Sequence, residues 1–177
     1  MITLHPRIVC IVGRSGAGKT TFLERLIPAL GALGLRSSVI KHGHSFDLDR
    51  PGKDSWRLTR AGAAAVVLSS PNQVGLLEST DAEWPVERLA ALTLGRADVV
   101  LAEGYKASRY PKIEVVREAM GPPLCPREEL WAVISAQPIS GFDGVAQFPP
   151  SDAAGVAEMV ARRLGLHPSQ RAKLATG

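Results

Sequence analysis

The chain has 177 residues, 45% of them hydrophobic and 21% charged, the composition of an ordinary globular domain with a substantial core. No apolar run approaches the roughly 20 residues needed to cross a bilayer, which excludes a helical membrane span. A net charge of +4 and a pI near 9.4 permit a nucleic-acid partner, but the basic residues are scattered and no helix-turn-helix, RNA-recognition or zinc-finger signature occurs, so none is expected.

The first apolar run, Ile8-Val9-Cys10-Ile11-Val12, predicts a buried strand from about Arg7. It begins too early for a signal peptide to precede it, so a cytoplasmic location is expected. Cys10 lies in this run and Cys125 in a proline-rich stretch, and neither has metal-site spacing. Next comes Gly13-Arg14-Ser15-Gly16-Ala17-Gly18-Lys19-Thr20, which fits G-x-x-x-x-G-K-[ST] between a strand and a helix. Glycines let the backbone curl so that successive N–H groups face an anion, and the helix N-terminus adds unpaired N–H groups and a partial positive charge. Gly13, Ser15, Gly16, Ala17, Gly18, Lys19, Thr20 and Thr21 are therefore the candidate phosphate-binding residues. Lys19 reaches the β- and γ-phosphates, and the Thr20 hydroxyl is a Mg²⁺ ligand.

The helix runs from about Lys19 to Leu33, with Pro28 expected to kink or loosen it and Gly34 ending it. A second strand is expected over Ser37–Lys41. The polar loop that follows, from His42 to Lys53, leaves what should be the ligand-binding end of that strand. With its flanks it carries two lysines, two histidines and three aspartates between Lys41 and Ser55. Asp47, Asp49 and Asp54 offer oxygen ligands for Mg²⁺. The lysines and histidines could hold a second anion, and His42 and His44 a transition metal, although no third soft ligand is adjacent. A polar surface loop with a Pro-Gly turn is the plainer alternative.

Asp54 reads as the N-cap of a helix over Ser55–Ala61. Ala64–Ser69 and Gln73–Glu78 read as strands joined at Pro71-Asn72, a hairpin whose exposed edge invites pairing with a second copy. A helix over about Pro85–Leu94 leads to Asp98-Val99-Val100-Leu101-Ala102-Glu103, a buried strand delivering a carboxylate at its end. Such a group in a phosphate-loop protein holds Mg²⁺, usually through water, or orients the attacking water, so Glu103 joins Lys19 as a candidate catalytic residue. Asp98, at the opposite end of that strand, is expected to be structural. Lys112–Val116 and Trp131–Ser135 read as further strands, the latter as the last of the sheet. A final helix covers about Asp152–Leu164, and a frayed tail is expected over 165–177, leaving one nucleotide-binding domain over 1–164. The alternation of strands and helices predicts an α/β three-layer sandwich of the P-loop NTPase kind, with a mostly parallel central sheet and a β-hairpin extension.

The loop Gly13–Thr21, the segment Ile40-Lys41-His42 with Phe46, Asp47 and Asp49, the run Pro51-Gly52-Lys53-Asp54-Ser55 followed by Ala61-Gly62-Ala63, and Ala102-Glu103-Gly104-Tyr105-Lys106 together resemble MobB, the molybdopterin-guanine dinucleotide biosynthesis protein B family. The resemblance runs from about Arg7 to Ser135. It implies a dimeric, GTP- and Mg²⁺-binding protein with weak GTPase activity. Such a protein is an adapter beside MobA, the guanylyltransferase that joins GMP to molybdopterin. On this sequence it puts phosphate binding on Gly13, Gly16, Gly18, Lys19, Thr20 and Thr21, the Mg²⁺-side carboxylate on Glu103, and more loosely a metal role on Asp47, Asp49 or Asp54. Guanine preference rests on the resemblance, because no N-K-x-D motif occurs; Ser135-Ala136-Gln137 is a positional candidate for reading the base. Arg14 stands where related dimeric NTPases place a lysine that acts across the dimer. The rival readings are an ATP-dependent small-molecule kinase, for which Arg109 and Arg117 make a poor lid, and a non-catalytic scaffold ordered by nucleotide.

Overall fold

The first apolar run has no polar alternation because the strand it forms is enclosed on every side. The structure is a computed structural model and describes residues 7–43 and 49–166. These cluster into two compact units, one formed by the chain up to His42 together with the chain from Val86 onward, the other by Gly43–Pro85.

In the first unit, β1 (Ile8–Val12) leads through the glycine loop to α1 (Lys19–Ala32) and β2 (Ser37–Lys41). In the second, α2 (Asp54–Arg60) precedes β3 (Ala65–Ser70) and β4 (Gln73–Glu78). The first unit resumes with α3 (Val86–Ala91), β5 (Val99–Glu103), β6 (Lys112–Val115), β7 (Leu130–Ile134), β8 (Ala146–Phe148) and α4 (Ala153–Arg163). Its six strands form one sheet in the order β2-β5-β1-β6-β7-β8, every pairing parallel. All five residues of both β1 and β5 are buried, as expected for inner strands covered on two faces.

The strand period of two divides the core. Val9, Ile11, Leu101, Ile113 and Ile134 face Leu23, Leu26 and Leu30 of α1 and Val156 and Val160 of α4. Ile8, Cys10, Val12, Ala102 and Val133 lie in the opposite cluster with Val86 and Ala90 of α3. This is the expected three-layer α/β arrangement. The 43–85 unit contains the hairpin, in which β3 and β4 pair antiparallel from Ala65↔Glu78 to Ser70↔Gln73 around Pro71-Asn72.

Several expectations need correction. β7 is not the last strand: β8 pairs beyond it, with Ala132, Val133 and Ile134 opposite Ala146, Gln147 and Phe148. A three-residue, half-buried edge strand carries too little periodicity to stand out in sequence. Asp54 is the first residue of α2 and not its cap; Lys53 occupies the cap, and the Asp54 carboxylate pairs with Arg57 one turn on, at 3.7 Å. Glu118–Met120 and Arg127–Glu129 form short 3-10 turns between β6 and β7. Leu166, placed in the tail, is buried. Both long helices end the same way. After α1 the Gly34 N–H donates to Gly31 O and the Leu35 N–H to Leu30 O, with Gly34 at φ 73°. After α4, Gly165 and Leu166 repeat the pattern onto Arg162 and Ala161. This closing motif folds the residue after the glycine back onto the helix, which is why Leu35 and Leu166 are both buried.

Candidate phosphate and metal site

Three neighbouring strands end level with one another. The register sets Lys41 opposite Glu103 and Ile11 opposite Glu103, so the ends of β2, β5 and β1 form one ledge. The glycine loop leaves β1 just past Ile11, and α1 begins at Lys19 beside the same edge.

The loop is shaped by backbone that favours glycine. Gly13, Gly16 and Gly18 have φ of 138°, 77° and 99°. Gly13 also passes against the end of β6: a Cβ there would lie 2.3 Å from Val115 O, a distance no side chain tolerates. Gly18 precedes α1 and accepts the first helical hydrogen bond, from the Phe22 N–H at 2.8 Å. Lys19, Thr20 and Thr21 therefore present first-turn N–H groups that have no acceptor within the helix. The Lys19 ammonium lies across the loop, donating to Gly13 O at 3.0 Å and Arg14 O at 2.9 Å. No residue of the first turn is acidic, so nothing there opposes an anion.

The Thr20 hydroxyl donates toward both Glu103 carboxylate oxygens, at 3.3 and 3.2 Å. Glu103 is 9% exposed. Lys41 closes the group, its ammonium 3.6 Å from Glu103 Oε2 and 3.5 Å from the Thr20 hydroxyl. The donor set fits Mg²⁺ in kind: a hydroxyl and a carboxylate, both hard oxygens, beside a backbone curled through Gly13, Gly16 and Gly18. Thr20 and Glu103 are the residues that would hold it. Asp47, the third expected ligand, lies outside the described residues, as does His44. Asp49 accepts a hydrogen bond from the Ser55 hydroxyl at 2.8 Å. His42 packs its ring on Tyr105, centroids 5.2 Å apart, and among the described residues no cluster of three metal-ligating side chains occurs.

The Gly104–Tyr105 turn is drawn in tightly. Gly104 has φ 101°, its N–H donates to Ile11 O at 2.9 Å, and a Cβ on it would stand 3.2 Å from that of His42. Tyr105 follows at φ 56°, the one non-glycine residue with positive φ among those described. Asp98 is structural, as expected: it accepts the Arg36 N–H at 2.8 Å at the far end of β5.

Sequence reading missed two features. The first is a cleft of about 580 Å³ beside the loop, lined by Gly16, Gly18, Thr21, Arg25, Arg117 and Ala136 among others. Arg117, considered only for a lid, donates to Gly16 O at 3.5 Å. Of the positional candidates for a base reader, Ala136 lines this cleft, while Ser135 and Gln137 line a neighbouring one of about 300 Å³. The second is a pair of buried charges on β6, Lys112 and Glu114, each 1% exposed. Lys112 pairs with Glu129 at 2.7 Å and donates to Ser108 O at 2.6 Å. Glu114 accepts the N–H groups of Leu124 and Cys125 at 2.5 and 3.0 Å and so anchors the proline-rich loop. Only the unusual K-x-E spacing in an apolar strand hinted at this.

The sequence and fold were compared with those of known proteins. The family described as molybdopterin guanine dinucleotide synthesis protein B matches residues 8–136. The molybdopterin-guanine dinucleotide biosynthesis adapter protein of Haemophilus influenzae is 42% identical over 116 residues, 64% of this chain and 65% of that one. Its namesake from Escherichia coli is 41% identical over 111 residues, 60% of this chain and 63% of that one. The match thus spans a little under two thirds of the length of each of these relatives. The crystal structure of Bacillus subtilis MobB superposes with a TM-score of 0.70 at 26% identity, covering 89% of this chain and 97% of that one. With the family model matching residues 8–136, most of the chain, and the fold superposing on a solved MobB, the chain belongs to the molybdopterin guanine dinucleotide synthesis protein B family, MobB.

Proposed function

We propose that this protein binds GTP with Mg²⁺ on the loop Gly13–Thr21, hydrolyses it weakly, and serves as an adapter in molybdopterin guanine dinucleotide synthesis, acting as a homodimer beside a MobA-type guanylyltransferase. The adapter role is supported by the names its relatives carry. The observation that carries the nucleotide reading is the meeting of Lys19, Thr20 and Glu103 at one strand edge.

Each residue has a chemical task. The loop amides and the α1 N-terminus bind the phosphates, and the Lys19 ammonium exchanges its loop carbonyls for phosphate oxygens. Thr20 and Glu103 would hold the metal, which would supply positive charge against the phosphates. Glu103 also has a lone pair to orient a water. Hydrolysis needs charge stabilisation at the γ-phosphate and a positioned water, and little covalent help. Beside the loop, Lys41 pairs with Glu103 and Arg117 donates to the loop backbone. An intrinsic turnover well below ~1 per second follows, as for P-loop GTPases without an arginine finger.

Titration of GTP against ATP with Mg²⁺, on wild type and Glu103→Gln, tests this. GTP preference with slow turnover supports the adapter reading. ATP preference returns the protein to the kinase class, and turnover of tens per second by the isolated protein contradicts it.

A further inference from the structure

We infer that Glu118 reads the purine base and is the source of guanine preference at this site, an inference that rests on the GTP-binding reading above. The cleft beside the loop runs from Gly16, Gly18 and Thr21 past Arg117 and Glu118 to Ala136 and Pro150. Its loop end belongs to the phosphates, so the nucleoside must extend toward the other end. There the second cleft opens, lined by Ser135, Gln137 and Pro138, and the two clefts share Val116 and Glu118. Among the described residues that line them, Glu118 is the one acidic side chain.

Its setting fits a reader. Glu118 opens the 3-10 turn after β6, and its carbonyl accepts the Gly121 N–H at 3.1 Å, which fixes the backbone. The side chain is exposed, and its carboxylate has no ion pair or hydrogen bond among the described residues. Arg117 and Arg25, which line the same cleft, are held by Gly16 O and Pro150 O and leave the carboxylate unneutralised.

The chemistry discriminates. Guanine presents two donors along one edge, N1–H and the N2 amine, and a carboxylate accepts both in a bidentate, charge-assisted pair. Adenine presents a lone pair at N1 where guanine has N–H, and a carboxylate repels it. GTPases that carry N-K-x-D draw this carboxylate from the motif's aspartate. The present chain has no such motif, its sole asparagine being Asn72 in the hairpin turn, and Glu118 supplies a carboxylate in the cleft instead.

The test is calorimetric titration of GTP, ITP and ATP with Mg²⁺ into wild type, Glu118→Ala and Glu118→Gln, with thermal melting to confirm that the variants are folded. ITP lacks only the N2 amine. Wild type should bind GTP about tenfold or more tighter than ITP or ATP. Glu118→Ala should bring the GTP-to-ITP ratio close to one. Glu118→Gln offers adenine a donor at N1 and an acceptor at N6, so it should lower the GTP-to-ATP ratio at least ~10-fold and raise ATP affinity. Unchanged ratios in folded variants would overturn the role of Glu118 while leaving GTP binding intact. A wild type that binds neither nucleotide, or prefers ATP, would instead defeat the GTP reading and this inference with it.

Discussion

The Thr20 hydroxyl and the Glu103 carboxylate, 83 residues apart in the chain, meet at 3.2 Å on the edge of the sheet. The contact follows from two neighbouring parallel strands. β1 feeds the loop that starts α1 with Lys19 and Thr20, and β5 ends level with Ile11 on Glu103. Thr20 and Glu103 supply hard oxygens and Lys19 supplies positive charge, and the two should respond differently to mutation. Lys19→Ala should weaken GTP binding by about 100-fold or more, with or without metal, because a charge-assisted contact to phosphate is lost. Thr20→Ala and Glu103→Gln should mainly reduce the gain in affinity that Mg²⁺ confers, by about tenfold. Titrations with Mg²⁺ and with a chelator separate the two, and equal losses in both conditions for Glu103→Gln would exclude it from the metal site.

Gly13 and Gly18 both hold positive φ, but their surroundings differ. A Cβ at Gly18 meets nothing within 4 Å, whereas at Gly13 it strikes the Val115 carbonyl. Gly18→Ala should therefore cost only the conformational strain, about 1–2 kcal/mol. Gly13→Ala must also part β1 from the end of β6 and should cost ~3 kcal/mol or more. Urea unfolding of the two variants checks this, and a Gly13→Ala midpoint equal to that of Gly18→Ala would contradict the close approach.

Lys112 is almost fully enclosed, while its partner Glu129 is nearly half exposed. Removing the carboxylate leaves an ammonium in the sheet with only backbone carbonyls for company. Water reaches the vacated position, so Glu129→Ala should cost about 2 kcal/mol, below the figure for a fully buried pair. Lys112→Met removes the charge itself and should be near neutral, within ~1 kcal/mol. If Lys112→Met proved much worse than Glu129→Ala, the lysine would be acting through more than this ion pair.

Burial, with the Glu114 carboxylate adding to it, pushes the Cys125 thiol up to about 11. Burial also raises Cys10, partly offset by its hydrogen bond to the Ser108 hydroxyl. A raised thiol value means less thiolate at a given pH, and thiolate is the reactive form. Near pH 9 the unfolded chain should be about half ionised at Cys125 and the native chain about one per cent. Iodoacetamide should therefore label Cys125 at least ~50-fold more slowly in the native protein than in urea. Mass spectrometry of timed samples reads this, and similar rates in both states would show the thiol to be exposed.

Local chemistry was legible before the fold was known. The glycine spacing around Lys19 announced a tightly curled loop, the unbroken run Ile8–Val12 an enclosed strand, and the Pro71-Asn72 pair the hairpin turn. Each of these is a short-range property, set by backbone freedom or by side chains within a few residues. Position across the sheet was not legible in that way. The K-x-E spacing hinted at Lys112 and Glu114, but not that they lie buried one strand over from the glycine loop, where Glu129 and the 124–125 backbone receive them. Nor does it show that Lys41 shares Glu103 with Thr20, or that Glu118 borders the cleft in which the nucleoside would lie. Strand order and register decide those meetings, and they depend on how distant segments bury their apolar faces against one another.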